Sequence, residues 1–478
     1  MPLILPGNVA SATASTGYDV DNSLRWNDGD SPYMSRANGT PTNADQWTFS
    51  IWVKRGALGS EQKLIAVEGD SLNNDAISFD SSDQLRWYGI TSSSTYMDVK
   101  TNRVFRDPSA WMHLCFIYDS GQVTDSDRAK IYVNGTQETS LATSTYPDQN
   151  KDSYINTASK TTIIGRQSWA ASGFFDGYMA EVTFCDGQAL APTSFGEFDS
   201  DSPTIFKPID VSGLTFGTNG FYLDFEASDN LGNDANGGTD FTEFNLAAAD
   251  QATDTPTNNF AVMNPLAYRL DSGVSLPTYS EGNCKIVCDD SGGAHKSSMS
   301  TIGVATGKWY WEMKFAVDDD SGFCGIARAE YDPNDNFAGR SIYYNSGNGA
   351  LSVGTGTGGT SDGSYGDTYT TGDTVGVAFD ATNGVIWFSI DGVWQNSATI
   401  AEIGAGTTTN AATTGITMSQ TWMPFFEGVD CTWEVNLGGS PAFTVSSGNA
   451  DGNGYGNFEY AVPSGYYALC TKNLAEYG

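Results

Sequence analysis

Five aromatic side chains stand beside predicted turns, where their rings could stack on the faces of sugars. One lies in the stretch RQSWAASGFF, two lie in SIYYNSGNG, and two lie in the glycine-rich stretch that follows. These candidate ligand-binding residues are Trp169, Tyr343, Tyr344, Tyr365 and Tyr369. The same rings could instead cover the ends of the fold, and the sequence leaves both interpretations open.

Acidic residues in predicted loops are a second group that could bind an ion. Calcium takes carboxylate and carbonyl oxygens from flexible loops. Aspartates cluster at positions 28 and 30, at 125 and 127, and from 318 to 320, and none of these groups has the EF-hand pattern. We place the candidate calcium site at Asp125 and Asp127, with solvated turns of an acidic protein as the alternative.

The acidic residues of the predicted strands do not form a catalytic pair. Retaining glycosidases need two carboxylates about 5–5.5 Å apart, which on a strand means acids on one face, at a spacing of two residues. Glu181 and Asp186 are five residues apart, and Glu312 has no acidic neighbour at this spacing. We therefore predict that the protein is not an enzyme, with a glycoside hydrolase as the weaker alternative.

The two histidines do not suggest a nucleophile–base pair either. His113 and His295 lie in different regions of the chain. His113 stands between apolar residues on a strand that looks buried, which is typical of a packed, hydrogen-bonded side chain rather than a general base.

Charge and cysteine content exclude several classes of protein. The formal net charge is −34, with 23 basic and 57 acidic residues, so we expect no binding to nucleic acid and none to anionic membranes. The chain has no apolar run of transmembrane length. Seven scattered cysteines are an odd number and do not suggest a disulfide framework.

The pattern of strands and turns predicts an all-β protein. Alternating stretches such as WTFSIWV and a strand entering Asn134-Gly135 are typical of antiparallel hairpins. Residues 372–395 contain three such strands and two turns of this kind. We expect two antiparallel β-sandwich domains in tandem, at 15–210 and 263–478.

Two further segments lie outside the predicted sandwiches. Residues 1–14, MPLILPGNVASATA, form an extended arm that lacks the basic start of a signal peptide, and prolines interrupt its apolar run. Residues 211–262 contain a strand pair and then polar, turn-rich sequence. We interpret this segment as an ordered connector, or alternatively as an addition to the edge of one domain.

The second region resembles the SPRY domain. The pieces that carry the resemblance are GKWYWEMKF (307–315), CGIARA (324–329), GDTVGVAFD (372–380), GVIWFSIDGVWQ (384–395), WMPFF (422–426) and NLGGSPAF (436–443). The resemblance implies a bent antiparallel sandwich that binds proteins or peptides through loops at one end and has no catalytic activity of its own. The resemblance does not assign a binding role to any individual residue of this chain.

The first region resembles the laminin G-like and pentraxin-like jelly rolls of the concanavalin A-like superfamily. The matching pieces are WTFSIWVKRG (47–56), SAWMHLCFIYD (109–119), KIYVNGTQE (130–138), TIIGRQ (162–167) and GFFDGYMAEVTFCDGQAL (173–190). This fold often binds glycans or proteins, sometimes through calcium.

The order of these parts is similar to that of virion appendage proteins of tailed phages, especially marine ones. The resemblance implies a fibre or surface appendage of the virion that recognises a host-surface glycan or protein. It also implies a homo-oligomer, with a trimer as one form, in contact with other virion proteins. The arm would anchor it through Leu3, Ile4 and Leu5. The alternatives are a capsid decoration protein and a secreted or cell-surface glycan-binding protein.

Overall fold

The chain folds into two compact units, each built from antiparallel strands. The computed structural model describes residues 17–67, 69–270, 276–289, 295–330, 340–354 and 360–478. The boundary between the two units lies between Thr257 and Asn258. Paired strands dominate both units, which confirms the prediction of an all-β protein with two sandwich domains.

The first unit contains eighteen described strands and four short 3₁₀ turns. The strands, β1 to β18 in chain order, are Ser23–Trp26, Tyr33–Ala37, Gln46–Arg55, Gln62–Val67, Asn74–Phe79, Gln84–Thr91, Ser94–Val104, Met112–Asp119, Ala129–Val133, Thr136–Gln137, Leu141–Thr145, Thr161–Ile164, Gly177–Asp186, Gly196–Phe198, Phe206–Pro208, Phe221–Leu223, Thr242–Phe244 and Gln251–Ala252. The 3₁₀ turns are Asp28–Asp30, Asp125–Asp127, Pro192–Ser194 and Ala248–Asp250.

Two sheets of eight strands face each other in the first unit. Sheet A has the order β10-β9-β8-β3-β13-β1-β18, with β16 also paired to β13, and sheet B has the order β11-β7-β6-β5-β4-β12-β2-β17. Alternate side chains of both sheets enter one apolar core. Trp47 of sheet A and Trp87 of sheet B meet there, with ring centroids 5.2 Å apart.

The segment from residue 211 to Thr257 adds strands to both sheets of this unit. Strand β16 pairs with β13, and β18 pairs with β1 in sheet A, while β17 pairs with β2 in sheet B. The buried guanidinium of Arg36 holds the intervening loop through an ion pair of 3.1 Å with Asp234 and a hydrogen bond of 2.6 Å to the carbonyl of Asn219. The segment that we interpreted as a connector therefore extends both sheets at their edges.

The second unit contains twelve described strands in one sheet and two short helices. The strands, β19 to β30, are Met263–Leu270, Thr278–Ser280, Lys285–Cys288, Lys296–Ser300, Lys308–Arg328, Ser341–Asn345, Ala350–Gly354, Thr360–Ser364, Thr374–Asp380, Val385–Ile390, Val393–Trp394 and Trp422–Asn436. The helices are α1, Ile400–Gly404, and α2, Thr471–Tyr477. Neither of these helices of the described chain has the length or apolar character needed to cross a bilayer.

Strands β23 and β30 organise the second unit. They pair with each other over most of their length, with register shifts between Phe315 and Val317 and between Asp318 and Ser321. Such bulges bend a strand, so the first half of β23 pairs with β27 and the second half with β24. The path of the sheet is β19-β22-β30-β23-β24-β25-β26, with β20, β21 and β27 to β29 as branches.

The hairpin turns predicted at Asn-Gly and Asp-Gly pairs are present. Asn134 and Gly135 have φ angles of 48° and 74°, and Asp391 and Gly392 have φ angles of 47° and 77°. Two successive positive φ values are typical of the tight turns that join antiparallel strands. The turns connect β9 to β10 and β28 to β29.

Candidate functional site

The face of sheet B that points away from the core carries charged and aromatic side chains. Leu85 and Trp87 of β6 enter the core, so the strand alternation turns Arg86 and Tyr88 outward. Arg86 donates two hydrogen bonds of 2.9 Å to the carboxylate of Asp98 on β7. Its guanidinium lies 4.9 Å from the centroid of the Tyr88 ring, so the ion pair and the ring hold one another in place.

The cations beside this ring are also paired with acids. Lys63 of β4 donates to Glu61 at 2.7 Å and to the Tyr88 hydroxyl at 3.3 Å. Lys100 lies opposite Arg86 in the sheet register and forms an ion pair of 3.5 Å with Asp80. The positive charges of Lys63 and Lys100, like that of Arg86, are therefore balanced locally.

A closed loop, residues 165–175, projects beside Lys63 between β12 and β13. Gly165 begins the loop with a φ of 88°, and a Cβ atom there would lie 2.4 Å from the ring of Trp26. Two backbone hydrogen bonds close the loop. The amide of Phe175 donates to the carbonyl of Gly165 at 2.8 Å, and the amide of Gln167 donates to the carbonyl of Ser172 at 3.0 Å. Only glycine fits the first position because of both its conformation and the nearby ring.

Four consecutive residues of this loop, Arg166 to Trp169, present unused binding groups, and we call them the loop site. Trp169 is 48% exposed. Arg166 Nε, Gln167 Oε1 and Ser168 Oγ are buried and have no hydrogen-bond partner, and the Gln167 side chain is almost fully buried. Buried polar atoms nearly always have partners, so three in succession beside an exposed indole make this loop the candidate site.

An aromatic stack fixes the cation of the loop site. The Arg166 guanidinium lies 3.8 Å from the centroid of the Tyr33 ring. Tyr33 in turn stacks on Phe244, with ring centroids 4.2 Å apart and an angle of 3° between the planes. Arg166 forms no ion pair within the described parts of the chain, so its planar donors are held in place without an acid to receive them.

A narrow pocket in this unit has a structural role. Its lining includes Asn38, Asn156 and Asn219. Asn219 donates to Asn156 Oδ1 at 2.9 Å, Asn156 donates to Asp186 Oδ1 at 2.6 Å, and Thr162 donates to Asn38 Oδ1 at 2.7 Å. These side chains use their polar atoms on each other, so the pocket offers little to a ligand.

Two of the five predicted ligand-binding aromatics are core residues, which corrects that part of the prediction. Tyr344 and Tyr369 are almost completely buried. The Tyr369 hydroxyl donates to the carbonyls of Gly322 and Tyr344 at 3.0 and 2.9 Å, and the Tyr344 hydroxyl donates to the carbonyl of Asp367. Neither ring has a free face on which a sugar could stack.

The other two predicted tyrosines are half-buried in the second unit. Tyr343 packs edge to face on Phe323, with ring centroids 5.2 Å apart. The hydroxyl of Tyr365 accepts a hydrogen bond of 3.1 Å from the amide of Phe388. Of the five aromatics, Trp169 is therefore the one whose ring is exposed, and it lies in a different unit from the four tyrosines.

The predicted calcium residues lie in an exposed 3₁₀ turn. Asp127 forms an ion pair of 2.9 Å with Lys130, and Asp125 accepts a hydrogen bond of 2.7 Å from the amide of Ser126. Among the residues that the structure describes, no group of three or more His, Cys, Asp or Glu side chains is arranged to hold a metal ion. Calcium binding at Asp125 and Asp127 stays a prediction. The predicted anchoring residues Leu3, Ile4 and Leu5 lie outside the described residues.

A buried carboxyl group that the sequence did not single out as a site lies in sheet A. Glu181 sits at a register shift of β13 with a φ of 51°. Its oxygens accept hydrogen bonds from the hydroxyl of Tyr18 at 3.2 Å and from that of Tyr222 at 2.9 and 3.0 Å. Burial raises the pKa of Glu181 to about 8, because the loss of water outweighs the hydrogen bonds from Tyr222 and Tyr18.

Burial also raises the pKa of Asp75 and that of Glu312 to about 6 in each case. Asp75 accepts hydrogen bonds from the amides of Tyr154 and Ile155 at 2.8 and 3.2 Å. Glu312 accepts hydrogen bonds from backbone amides, including that of Tyr460 at 2.8 Å. Both carboxyl groups hold loops against the sheets, and neither faces an open surface.

His113 is a core residue, as its apolar neighbours suggest. Its Nε2 lies 2.8 Å from the hydroxyl oxygen of Ser50, and its ring packs against Trp52 and Phe206, each with a centroid distance of 5.1 Å. Burial lowers the pKa of His113 to about 3, so the imidazole is neutral. The Ser50–His113 pair resembles a nucleophile and base in distance, but complete burial removes it from any substrate.

The structure consists of two units built from antiparallel β-sheets, which agrees with the all-β, two-domain prediction. Residues 28–193 match the model of a laminin G family, described as the concanavalin A-like lectin/glucanases superfamily. The matched residues include the loop site. No relative among the curated proteins matches the chain.

Solved structures similar to parts of this chain include a pentraxin, a SPRY domain and one domain of an arabinanase. The heptameric SAP-like pentraxin from Limulus polyphemus is 15% identical, with 37% of this chain and 80% of that chain covered and a TM-score of 0.26. The SPRY domain of human HERC1 is 15% identical, with coverages of 36% and 96% and a TM-score of 0.27. Domain 4 of AbnA, a GH43 extracellular arabinanase from Geobacillus stearothermophilus solved with arabinotriose, is 22% identical, with coverages of 33% and 67% and a TM-score of 0.24.

Proposed function

We propose that the first unit is a non-catalytic carbohydrate-binding module and that the loop site is its binding surface. The observation that carries the proposal is the exposed ring of Trp169 beside three buried polar atoms without partners. Sugars offer both an apolar C–H face and hydroxyl groups, so they match an aromatic platform next to unused donors and acceptors.

The ion pairs on the neighbouring face support binding rather than hydrolysis. Glycoside hydrolysis uses an acid and a second carboxylate on either side of the bond to be cleaved. Glu61, Asp80 and Asp98 of this face are each paired with a cation. The match to a superfamily of lectins and glucanases is compatible with both activities, so release of oligosaccharide by the purified protein would contradict the proposal.

A glycan array probed with the full-length protein tests the proposal. We expect the protein to bind a subset of glycans and the Trp169→Ala variant to lose about fivefold in affinity, since stacking of a sugar on an aromatic ring resembles other aromatic contacts of about 1 kcal/mol. Phe198→Ala is the matched control, because Phe198 is 43% exposed in the same unit but lies on β14. Equal binding by the Trp169→Ala variant would exclude the loop site.

At the level of the particle, we infer that the chain is a structural protein of a phage virion. The order of jelly roll, edge addition and SPRY-like sandwich supports this inference, together with the strongly acidic composition, which favours solubility. The protein would be a fibre or surface appendage, oligomeric through sister chains, that recognises a host-surface glycan. Leu3, Ile4 and Leu5 would anchor it to other virion proteins.

Deleting residues 1–14 tests the anchoring role. We expect the deletion to prevent incorporation into particles while purified protein still binds glycan, because the loop site is formed by Arg166 to Trp169. Quantitative mass spectrometry of purified particles measures incorporation. Unchanged incorporation would show that the arm is not the anchor, and absence of even the full-length protein from particles would favour the secreted glycan-binding alternative.

A further inference from the structure

We propose that the loop site selects acidic sugars and that Arg166 receives the anionic group of the ligand. This inference rests on the proposed carbohydrate-binding function and adds the class of ligand. The anionic group is a carboxylate, as in uronic acids, or a sulfate ester, since the planar guanidinium of arginine binds both through two parallel hydrogen bonds.

The isolation of Arg166 from acids is the first observation behind this inference. With 57 acidic and 23 basic residues in the chain, a guanidinium has many possible partners. Arg86, Lys63 and Lys100 on the adjacent face each contact a carboxylate. Arg166 contacts none within the described residues, and its Nε is buried without a hydrogen-bond partner.

The rigid position of Arg166 is the second observation. Its guanidinium stacks on Tyr33, which itself stacks on Phe244. A cation that is already ordered loses less conformational entropy when it binds an anion than a free surface side chain does. The stack therefore preorganises the donors of Arg166 in one plane.

The order of groups along the loop is the third observation. Gln167 Oε1 is a buried acceptor and Ser168 Oγ can accept or donate, so both suit sugar hydroxyls. Trp169 follows as the exposed platform for the ring. A single acidic sugar residue can thus place its ring on the indole, its hydroxyls on Gln167 and Ser168, and its anionic group on Arg166.

Calorimetric titration of the full-length protein with two matched pairs of oligosaccharides tests the inference. One pair is oligogalacturonate and its neutral methyl ester, and the other is a sulfated galactan fragment and its desulfated form. We expect at least one charged form to bind about tenfold or more tightly than its neutral counterpart, as a charge-assisted hydrogen bond contributes. Preference within the first pair identifies a carboxylate, and preference within the second identifies a sulfate.

Three variants separate this inference from the proposed function. Arg166→Gln should abolish the preference for the charged form while binding of the neutral form persists, whereas Trp169→Ala should weaken binding of both. Arg103→Gln is the control, because Arg103 also covers an aromatic ring, that of Phe105, at 5.0 Å but lies outside the loop site. An unchanged preference in Arg166→Gln overturns the inference and leaves the proposed function intact. Failure of the wild-type protein to bind any glycan on the array overturns the proposed function itself.

Discussion

Glu181 shows how burial without a cation alters a single carboxyl group. It is almost completely buried in sheet A and contacts the hydroxyls of Tyr18 and Tyr222. Burial raises its pKa from 4.5 to about 8. Sequence alone indicated only that Glu181 lacked an acidic partner on its face, because the register shift at this position and the two tyrosines, 163 and 41 residues away, depend on the folded chain.

This raised pKa predicts that stability falls as the pH rises from about 4.5 to about 8. The folded protein holds the proton of Glu181 more tightly than the unfolded chain does, so its stabilising effect is complete below about pH 4.5 and is lost as the pH rises through about 8. Urea unfolding at pH 5, 7 and 9 measures the free energy of unfolding. We expect the Glu181→Gln variant to lose much of this dependence, because glutamine cannot ionise. Parallel curves for both proteins would contradict the assignment.

The loop of residues 165–175 and strand β24 show what a pattern of residues can and cannot predict. Trp169 is exposed, as the polar and glycine residues around it in the sequence suggest. Tyr344 is buried, because strand alternation sends it into the core while Tyr343 stays half-buried outside. No pattern in the sequence indicates that polar atoms of Arg166, Gln167 and Ser168 lack hydrogen-bond partners. Their surroundings include Tyr33 and other residues that are distant in the chain.

The last segment of the first unit is held to sheet A by a buried ion pair. Lys54 of β3 donates to Asp254 at 2.6 Å, and both side chains are almost completely buried. Asp254 also accepts a hydrogen bond of 2.9 Å from Trp111 Nε1. This contact explains why residues beyond the predicted limit of the first domain belong to it, and no local pattern around Asp254 indicates it.

We expect Asp254→Ala to destabilise the protein by about 3–5 kcal/mol, because it leaves a buried ammonium group without its counter-ion. Glu197→Ala removes an exposed partner of Lys207 and should cost less than about 1 kcal/mol. Chemical unfolding monitored by tryptophan fluorescence compares the two variants with the wild type. Similar losses in both variants would show that the buried pair has no special role in closing the sheet.

For the molecule as a whole, the alternation of apolar residues and the paired turns were sufficient to predict two antiparallel sandwiches. In strands such as β3 and β28, every second residue is apolar in the sequence, as expected for a strand. The tight turns at Asn134 and Asp391 have the positive φ angles that such turns need. The domain limits were harder to predict, because β16 to β18 are only two or three residues long and become strands by pairing with edges formed much earlier in the chain.

A crystal structure of the full-length protein with a glycan selected from the array tests carbohydrate binding at the loop site most directly. We predict intact sugar with one ring stacked on Trp169 and with polar groups in contact with Arg166 and Gln167 of the loop site. Sugar bound only elsewhere on the molecule, or a cleaved product in place of the intact glycan, would contradict the account.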